Sequence, residues 1–203
     1  MKRILFGAMG VATLALSSAA SAAIIDFEDI VSDQFGDPIP SQGFNFDFEA
    51  QGWALATNGY TGFNRLQNGT STLFQAGGIN GNNSLVNFKP LDDSPFSAQG
   101  FDSAVFDGTQ PVGVIEVIGN YEGGGTTSQT FTIINQWQSF ALNGTFTNLD
   151  SITVIDQFGG NFGTSPGFQL DNITVNDVVP EPASMAVLGL GALALIRRRR
   201  TSN

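Results

Sequence analysis

Short runs of alternating hydrophobic and polar residues, separated by turn-forming residues, fill the middle of the chain. In the clearest run, Phe44, Phe46 and Phe48 alternate with polar residues. Similar runs cover residues 112–118, 131–134, 140–142, 152–155 and 168–175, and glycine-rich turn signals lie between them at 123–125, 143–144 and 159–160. No stretch between the two ends keeps a helical period. The pattern predicts an all-β fold, a two-sheet antiparallel β-sandwich of the jelly-roll kind.

One segment, residues 52–83, is rich in Gly, Asn and Thr and only weakly periodic. Two interpretations fit it: short strands joined by long loops, or an irregular wall at the surface. Long stretches without regular structure are uncommon in compact domains unless they have a function. We therefore expect a binding face in this segment.

Two runs combine strand periodicity with acidic residues. In residues 25–29, Ile-Asp-Phe-Glu-Asp, a strand would place Asp26 and Glu28 on one face. In residues 168–175 the alternation slips by one residue at Asp171-Asn172. A β-bulge would absorb that slip and turn one of these two side chains towards the rim. The first and last strands of a jelly roll often lie side by side, so we expect these two runs to be neighbours.

The N-terminus has the three parts of a secretory signal peptide. Lys2 and Arg3 precede an apolar run over residues 4–16, and small residues occupy 17–23. The apolar run is too short for a stable membrane span, and small residues at 20–22 and 21–23 suit signal peptidase. The prediction is a signal peptide over residues 1–23, with a mature chain that starts at Ala23 or Ile24.

The C-terminal segment, residues 178–203, also has three ordered parts. Its 14-residue run over 183–196 would form a helix about 21 Å long, shorter than the ~30 Å hydrocarbon core, so it inserts only under strain. Arginines after the run are costly to translocate and hold the C-terminus in the cytoplasm. Prolines before the run keep the backbone there extended. The flanking residues are Val179, Pro180, Glu181 and Pro182 on one side and Arg197, Arg198, Arg199 and Arg200 on the other.

This tail resembles the sorting signal of the PEP-CTERM family of exported bacterial proteins. The resemblance implies that an integral-membrane exosortase cuts the chain near the Pro-Glu-Pro triplet. It also implies a transient anchor in the inner membrane, followed by a place at the cell surface or in the extracellular matrix. The alternative is an ordinary tail anchor. Residues 24–177 are then one β-sandwich domain about which the tail says nothing.

Charge and composition narrow the chemistry of that domain. Removing both end segments leaves two basic residues, Arg65 and Lys89, against 17 acidic ones, a net charge of −15. Such a domain is repelled by nucleic acid and by anionic lipid. The chain has no histidine and no cysteine. This excludes Ser-His-Asp and Cys-His catalysis, the usual catalytic zinc sites, and any disulfide.

The two acidic runs carry a second resemblance. An opening Ile-Asp-Phe-Glu-Asp run and a closing Phe-Gln-Leu-Asp-Asn-Ile-Thr-Val run are similar to those of galactose-binding-like sandwiches and carbohydrate-binding modules. In several such families, acidic residues of these strands hold a structural calcium. By position the resemblance implies Glu28 and Asp171 as ligands of Ca²⁺, with Asp26 and Asn172 beside them. The alternative is that these are solvated charges that protect a sheet edge.

Sugar recognition would use aromatic rings as flat platforms and polar side chains for the hydroxyl groups. The candidates are Trp53, Tyr60, Arg65 and Trp137, although a tryptophan at a strand start, such as Trp137, often packs instead. Paired carboxylates could also hydrolyse a glycosidic bond, but no acidic residue lies in a recognisable glycosidase motif.

The sequence therefore predicts an exported, non-catalytic protein of the cell surface or extracellular matrix that binds exopolysaccharide. One alternative is a structural or adhesive biofilm matrix protein without a specific ligand. The other alternative is a carboxylate-based glycan hydrolase.

Overall fold

The computed structural model describes residues 22–34, 38–48, 53–57, 65–75, 85–106, 111–157 and 167–177, all within one compact unit over residues 21–178. In these ranges the regular structure consists of strands. The strands are β1 (Ala22–Ile25), β2 (Ile39–Ser41), β3 (Phe44–Asp47), β4 (Trp53–Ala56), β5 (Thr72–Gln75), β6 (Leu85–Pro90), β7 (Phe96–Val105), β8 (Val112–Tyr121), β9 (Thr126–Ile134), β10 (Gln138–Ala141), β11 (Leu149–Asp156) and β12 (Phe168–Asp177). The described ranges contain no helix that is long and apolar enough to cross a membrane.

The strands form two antiparallel sheets. The first sheet has the order β2-β3-β6-β11-β8-β9. The second has the order β4-β5-β12-β7-β10, and β1 pairs with β12 beyond the end of β5. A single pair, Leu149 opposite Phe96, links the two sheets at a corner. This arrangement confirms the predicted antiparallel β-sandwich.

Phenylalanines from both sheets fill the space between them. The rings of Phe44 in β3 and Phe96 in β7 meet edge to face, with centroids 5.3 Å apart. Phe46 stacks on Phe88 within the first sheet at 5.2 Å, and all four side chains are buried. Each fully buried ring contributes about 1.5–3 kcal/mol relative to an exposed one. The chain has no cysteine, so the domain relies on buried side chains, these rings and the aliphatic residues around them, and not on disulfides.

Three local predictions are confirmed. The glycines at 123–125 all have positive φ, between 84° and 100°, and turn the chain from β8 into β9. The pairing of β12 with β7 shifts register between Asp171 and Thr174, which is the predicted bulge. The first and last strands do lie side by side, with Ala22 opposite Asn176 and Ile25 opposite Ile173.

The predicted opening strand over residues 25–29 is wrong in its extent. β1 ends at Ile25, and Phe27 has φ 58°, in the left-handed region that a bulky residue seldom adopts. The Phe27 ring is fully buried 5.1 Å from that of Phe46, and this packing holds the backbone in the turn. Asp26 and Glu28 therefore do not share a strand face.

The weakly periodic segment contains the short strands β4 and β5 and a loop over residues 65–71. The interpretation as strands joined by loops is thus the one observed in the described part of the segment. The rest of the segment, residues 58–64 and 76–83, lies outside the described residues.

Candidate functional site

The loop before β5 brings two of the predicted calcium ligands to one place. Asp171 Oδ2 accepts hydrogen bonds from Asn68 Nδ2 and Thr70 Oγ1, each at 2.6 Å. One residue further along the loop, the backbone N–H of Ser71 donates to Glu28 Oε1 at 2.7 Å. Residues 68–71 thus bridge the carboxylates of Glu28 and Asp171.

Burial governs the electrostatics of Asp171. Its side chain is completely buried, and desolvation raises the pKa of Asp171 to about 6, against hydrogen bonds from Thr70, Asn172 and Asn68 that lower it. The negative charge of Asp102 raises it slightly further. The donors to this carboxylate are all neutral, so the anion has no compensating positive charge in these contacts. A proton or a bound cation would supply that charge.

The backbone N–H of Asn172 donates to Asp171 and that of Glu28 donates to Asp26, but the side chains of Asp26 and Asn172 have other partners as well. Asp26 bonds to the side chain of Gln42 through both its backbone N–H and its carboxylate. Asn172 Nδ2 donates to Asp102 Oδ2 at 2.8 Å. Across the described ranges, no group of three or more Asp, Glu, His or Cys is arranged to hold a metal ion. A cation between Glu28 and Asp171 would therefore need neutral oxygen ligands as well.

A groove of about 380 Å³ lies on the second sheet, across β10, β7 and β12. This volume is within the range of small-ligand sites. Asp102 organises it: its Oδ1 accepts from Ser139 Oγ at 2.6 Å and its Oδ2 accepts from Asn172 Nδ2. The lining residues are Gln99, Gly100, Phe101, Asp102, Ser139, Phe140, Ala141, Asn172 and Thr174.

Two backbone features shape the groove. The bulge in β12 gives Asn172 a φ of 47° and turns its amide towards Asp102. On the other side, β10 lies so close to β7 that a Cβ at Gly100 would be 2.5 Å from the carbonyl oxygen of Phe140. Among the described residues, the side chains of Gln99 and Thr174 make no hydrogen bond, which leaves their polar groups available to a ligand.

Of the predicted sugar-binding residues, Arg65 and Trp137 are described, and neither lines this groove. Arg65 is buried, and its guanidinium donates to the Thr57 carbonyl oxygen at 3.2 Å and to Gln67 Oε1 at 3.0 Å. Trp137 is half-buried just before β10, and its Nε1 has no hydrogen-bond partner within the described ranges. The Trp53 side chain and all of Tyr60 lie outside the described residues, although the Trp53 backbone belongs to β4.

The sequence interpretation missed Gln99, Ser139 and Thr174, and it gave Asp102 no role in binding. One signal was available: Gly100 follows Gln99 inside a strand, and a glycine within a strand often marks a close approach of two backbones.

The predicted sorting residues at 179–182 and 197–200 lie outside the described residues, as does the predicted signal peptide apart from Ala22 and Ala23, which begin β1. The model of the PEP-CTERM protein-sorting motif matches residues 178–200. The chain carries a PEP-CTERM sorting motif. This PEP-CTERM segment marks an exported protein that is sorted through a membrane-anchored C-terminus, and it leaves the sandwich domain unassigned.

Three solved structures resemble the sandwich of this chain in fold. The module TmCBM61, in complex with β-1,4-galactotriose, is 13% identical over 65% of this chain and 86% of its own, with a TM-score of 0.39. A family 29 carbohydrate-binding module from Piromyces equi is 10% identical over 78% and 91%, with a TM-score of 0.43. The agarase AgWH50C is 12% identical over 68% of this chain but only 23% of its own, with a TM-score of 0.39. No curated protein matches the sequence.

Proposed function

We propose that this PEP-CTERM protein is a non-catalytic, exosortase-sorted protein of the bacterial cell surface or matrix that binds exopolysaccharide in the groove on the second sheet. The groove is the observation that carries the proposal. It presents a free amide, a free hydroxyl and the exposed methyl group of Ala141 in one open cleft. Saccharides are recognised by this combination of polar groups and apolar surface.

The groove suits binding better than hydrolysis. Glycoside hydrolysis needs two carboxyl groups that flank the scissile bond, about 5–10 Å apart. The described lining of the groove contains one acidic residue, Asp102, and both of its oxygens already accept hydrogen bonds. Its carboxylate positions Ser139 and Asn172 by accepting a hydrogen bond from each of them.

Removing the two free polar groups is expected to abolish most of the binding. The double variant Gln99→Ala/Thr174→Ala should bind an array of neutral and acidic polysaccharides at least about tenfold more weakly, since two hydrogen bonds of roughly 1 kcal/mol each are lost. The matched control is Thr147→Ala, an exposed residue in the loop before β11, away from the groove. If the wild-type chain gives a blank array, the second candidate, a matrix protein without a specific ligand, is favoured.

We also propose that Glu28 and Asp171 hold a calcium ion that supports the domain. The support is their convergence on residues 68–71, where Thr70 Oγ1, 2.6 Å from Asp171 Oδ2, would add a neutral oxygen ligand to the two carboxylates. A bound cation would supply the positive charge that the buried Asp171 lacks. At the surface, cations could also bridge the acidic domain to acidic polysaccharide.

Processing of the tail gives a further expected result. Glu181→Ala should leave uncut precursor in the membrane fraction, because the triplet would lose its only charge. Replacing the four arginines by serine should have the same effect, because the C-terminus is no longer held in the cytoplasm. Immunoblots of membrane and medium fractions measure both, and Asp177→Asn is the control for loss of a nearby acid. Normal release of the Glu181 variant would contradict exosortase sorting.

A further inference from the structure

The edge strands of the sandwich differ sharply in length. β2 has three residues with Pro40 in the middle, and β1, β4 and β10 have four residues each. β9 is an edge strand of nine residues, Thr126–Ile134, without proline or any charged residue. Proteins normally protect edges by short strands, prolines or charges. Of the described edges, β9 alone has none of these protections.

One side of β9 is fully paired and the other is open. Its nine residues pair with β8 without a register shift, and no other described strand pairs with it. Alternate side chains close the sandwich: the Phe131 ring lies 5.1 Å from Phe140, and Gln129 Nε2 donates to the Ala141 carbonyl oxygen at 3.3 Å. The other side chains, Thr126, Ser128, Thr130 and Thr132, are exposed.

We propose that β9 is an interface through which two copies of this chain pair antiparallel about a two-fold axis at Thr130. The first sheets of the two copies then join into one continuous sheet, and the unpaired N–H and C=O groups of both edges are satisfied. In this register Thr130 faces its own copy and Ser128 faces Thr132. The outer face then carries a row of paired hydroxyl side chains, which stabilise antiparallel strands.

The hydroxyl pattern of β9 is self-complementary about Thr130, which favours a second copy as the occupant, and charge favours this edge over the rest of the surface. Two domains that each carry −15 repel one another, so they approach most easily where neither presents charge. β9 provides nine consecutive residues without an ionisable side chain. A two-fold axis makes the interface self-complementary and closes the assembly at a dimer.

A cysteine cross-link tests both the pairing and its register, because the natural chain has no cysteine. The experiment uses the full chain, purified in detergent. In the proposed dimer, Thr130→Cys places the cysteines of the two copies directly opposite each other. Their Cα atoms would lie about 4.5–5.5 Å apart, a distance that a disulfide can span. Thr126→Cys is the matched control on the same exposed face. Its copies would lie eight residues apart along the strand, about 27 Å. Under mild oxidation we expect at least tenfold more cross-linked dimer from Thr130→Cys. Equal yields from the two variants would overturn the proposal.

A charge at the edge gives a second, independent readout. Thr130→Lys should shift the full chain from dimer towards monomer in sedimentation velocity, because two lysines would face each other across the axis. Val31→Lys, at a residue 93% exposed after β1, matches the change of charge and should leave the dimer intact. Circular dichroism checks that both variants remain folded. If the wild-type chain stays monomeric while its concentration is raised about 100-fold, self-pairing is contradicted. The same result is expected if the natural occupant of β9 is a strand of another protein, so that alternative is also distinguished from self-pairing.

Discussion

Replacing Gly100 by alanine is expected to destabilise the domain by about 1–3 kcal/mol and to abolish polysaccharide binding together. The new Cβ would lie 2.5 Å from the carbonyl oxygen of Phe140, a distance that real contacts do not allow. Because that oxygen belongs to the backbone of β10, the whole edge strand must move away from β7. Both walls of the groove then shift. Chemical denaturation measures the stability, and the polysaccharide array measures the binding.

Gly144→Ala is the matched control for Gly100→Ala. Gly144 lies in the turn after β10, and an added Cβ there meets no atom within 4 Å. This variant should keep wild-type stability and binding. A Gly100→Ala chain that unfolds as the wild type does would contradict the close packing of β10 on β7. A destabilised variant with unchanged binding would instead move the ligand site away from the groove.

Without divalent cations, the domain should be more stable at pH 4 than at pH 6.5. The pKa of Asp171 in the folded chain is raised from 3.8 to about 6, so the folded state holds this proton more tightly than the unfolded state does. Stability is then full below about pH 4 and falls as pH rises through the window up to about 6. The expected loss of unfolding free energy is about 3 kcal/mol. Thermal melts in EGTA at several pH values measure it.

The other acidic residues also contribute to the pH dependence, because they repel one another less when they are protonated. Variants separate the contribution of Asp171 from theirs. Asp171→Asn should lack this part of the pH dependence, whereas Asp150→Asn, at an exposed acid on β11, should retain it. A wild-type chain and an Asp171→Asn chain with the same pH slope would contradict the burial effect.

Calcium should reverse the pH trend if Glu28 and Asp171 hold the ion. At pH 7.5, added Ca²⁺ is expected to raise the melting temperature of the wild type and of Asp150→Asn. The melting temperatures of Glu28→Gln and Asp171→Asn should not change with Ca²⁺. Each variant lacks one of the two carboxylates that contact residues 68–71. An unchanged wild-type melting temperature would contradict the calcium proposal and leave the groove proposal untouched.

The sequence predicted the strands whose alternation is clean, together with the slip at Asp171-Asn172. It missed β2, β6 and β7, although β7 lies inside the second sheet, between β12 and β10. In β7 the buried residues Phe96, Ala98 and Phe101 break the two-residue period, because the strand follows the bulge of its neighbour β12. Periodicity within one strand cannot reveal a distortion that a partner strand imposes.

The candidate site was predictable only in part, because some of its features depend on contacts between distant segments. The convergence of Glu28 and Asp171 followed from the expected pairing of first and last strands. The turn at Phe27 did not, because the strain in its backbone is held by tertiary packing on Phe46. The groove was not predictable at all, since its walls come from three strands that are distant in the sequence.

The pairing of β1 with β12 also brings the two ends of the described sandwich together. Ala22 lies opposite Asn176, so the first and last described residues, Ala22 and Asp177, lie at the same corner. A linker of a few residues should therefore be able to join them. A circular permutant closed in this way and opened at the exposed turn over residues 123–125 should keep every strand pair of the sandwich.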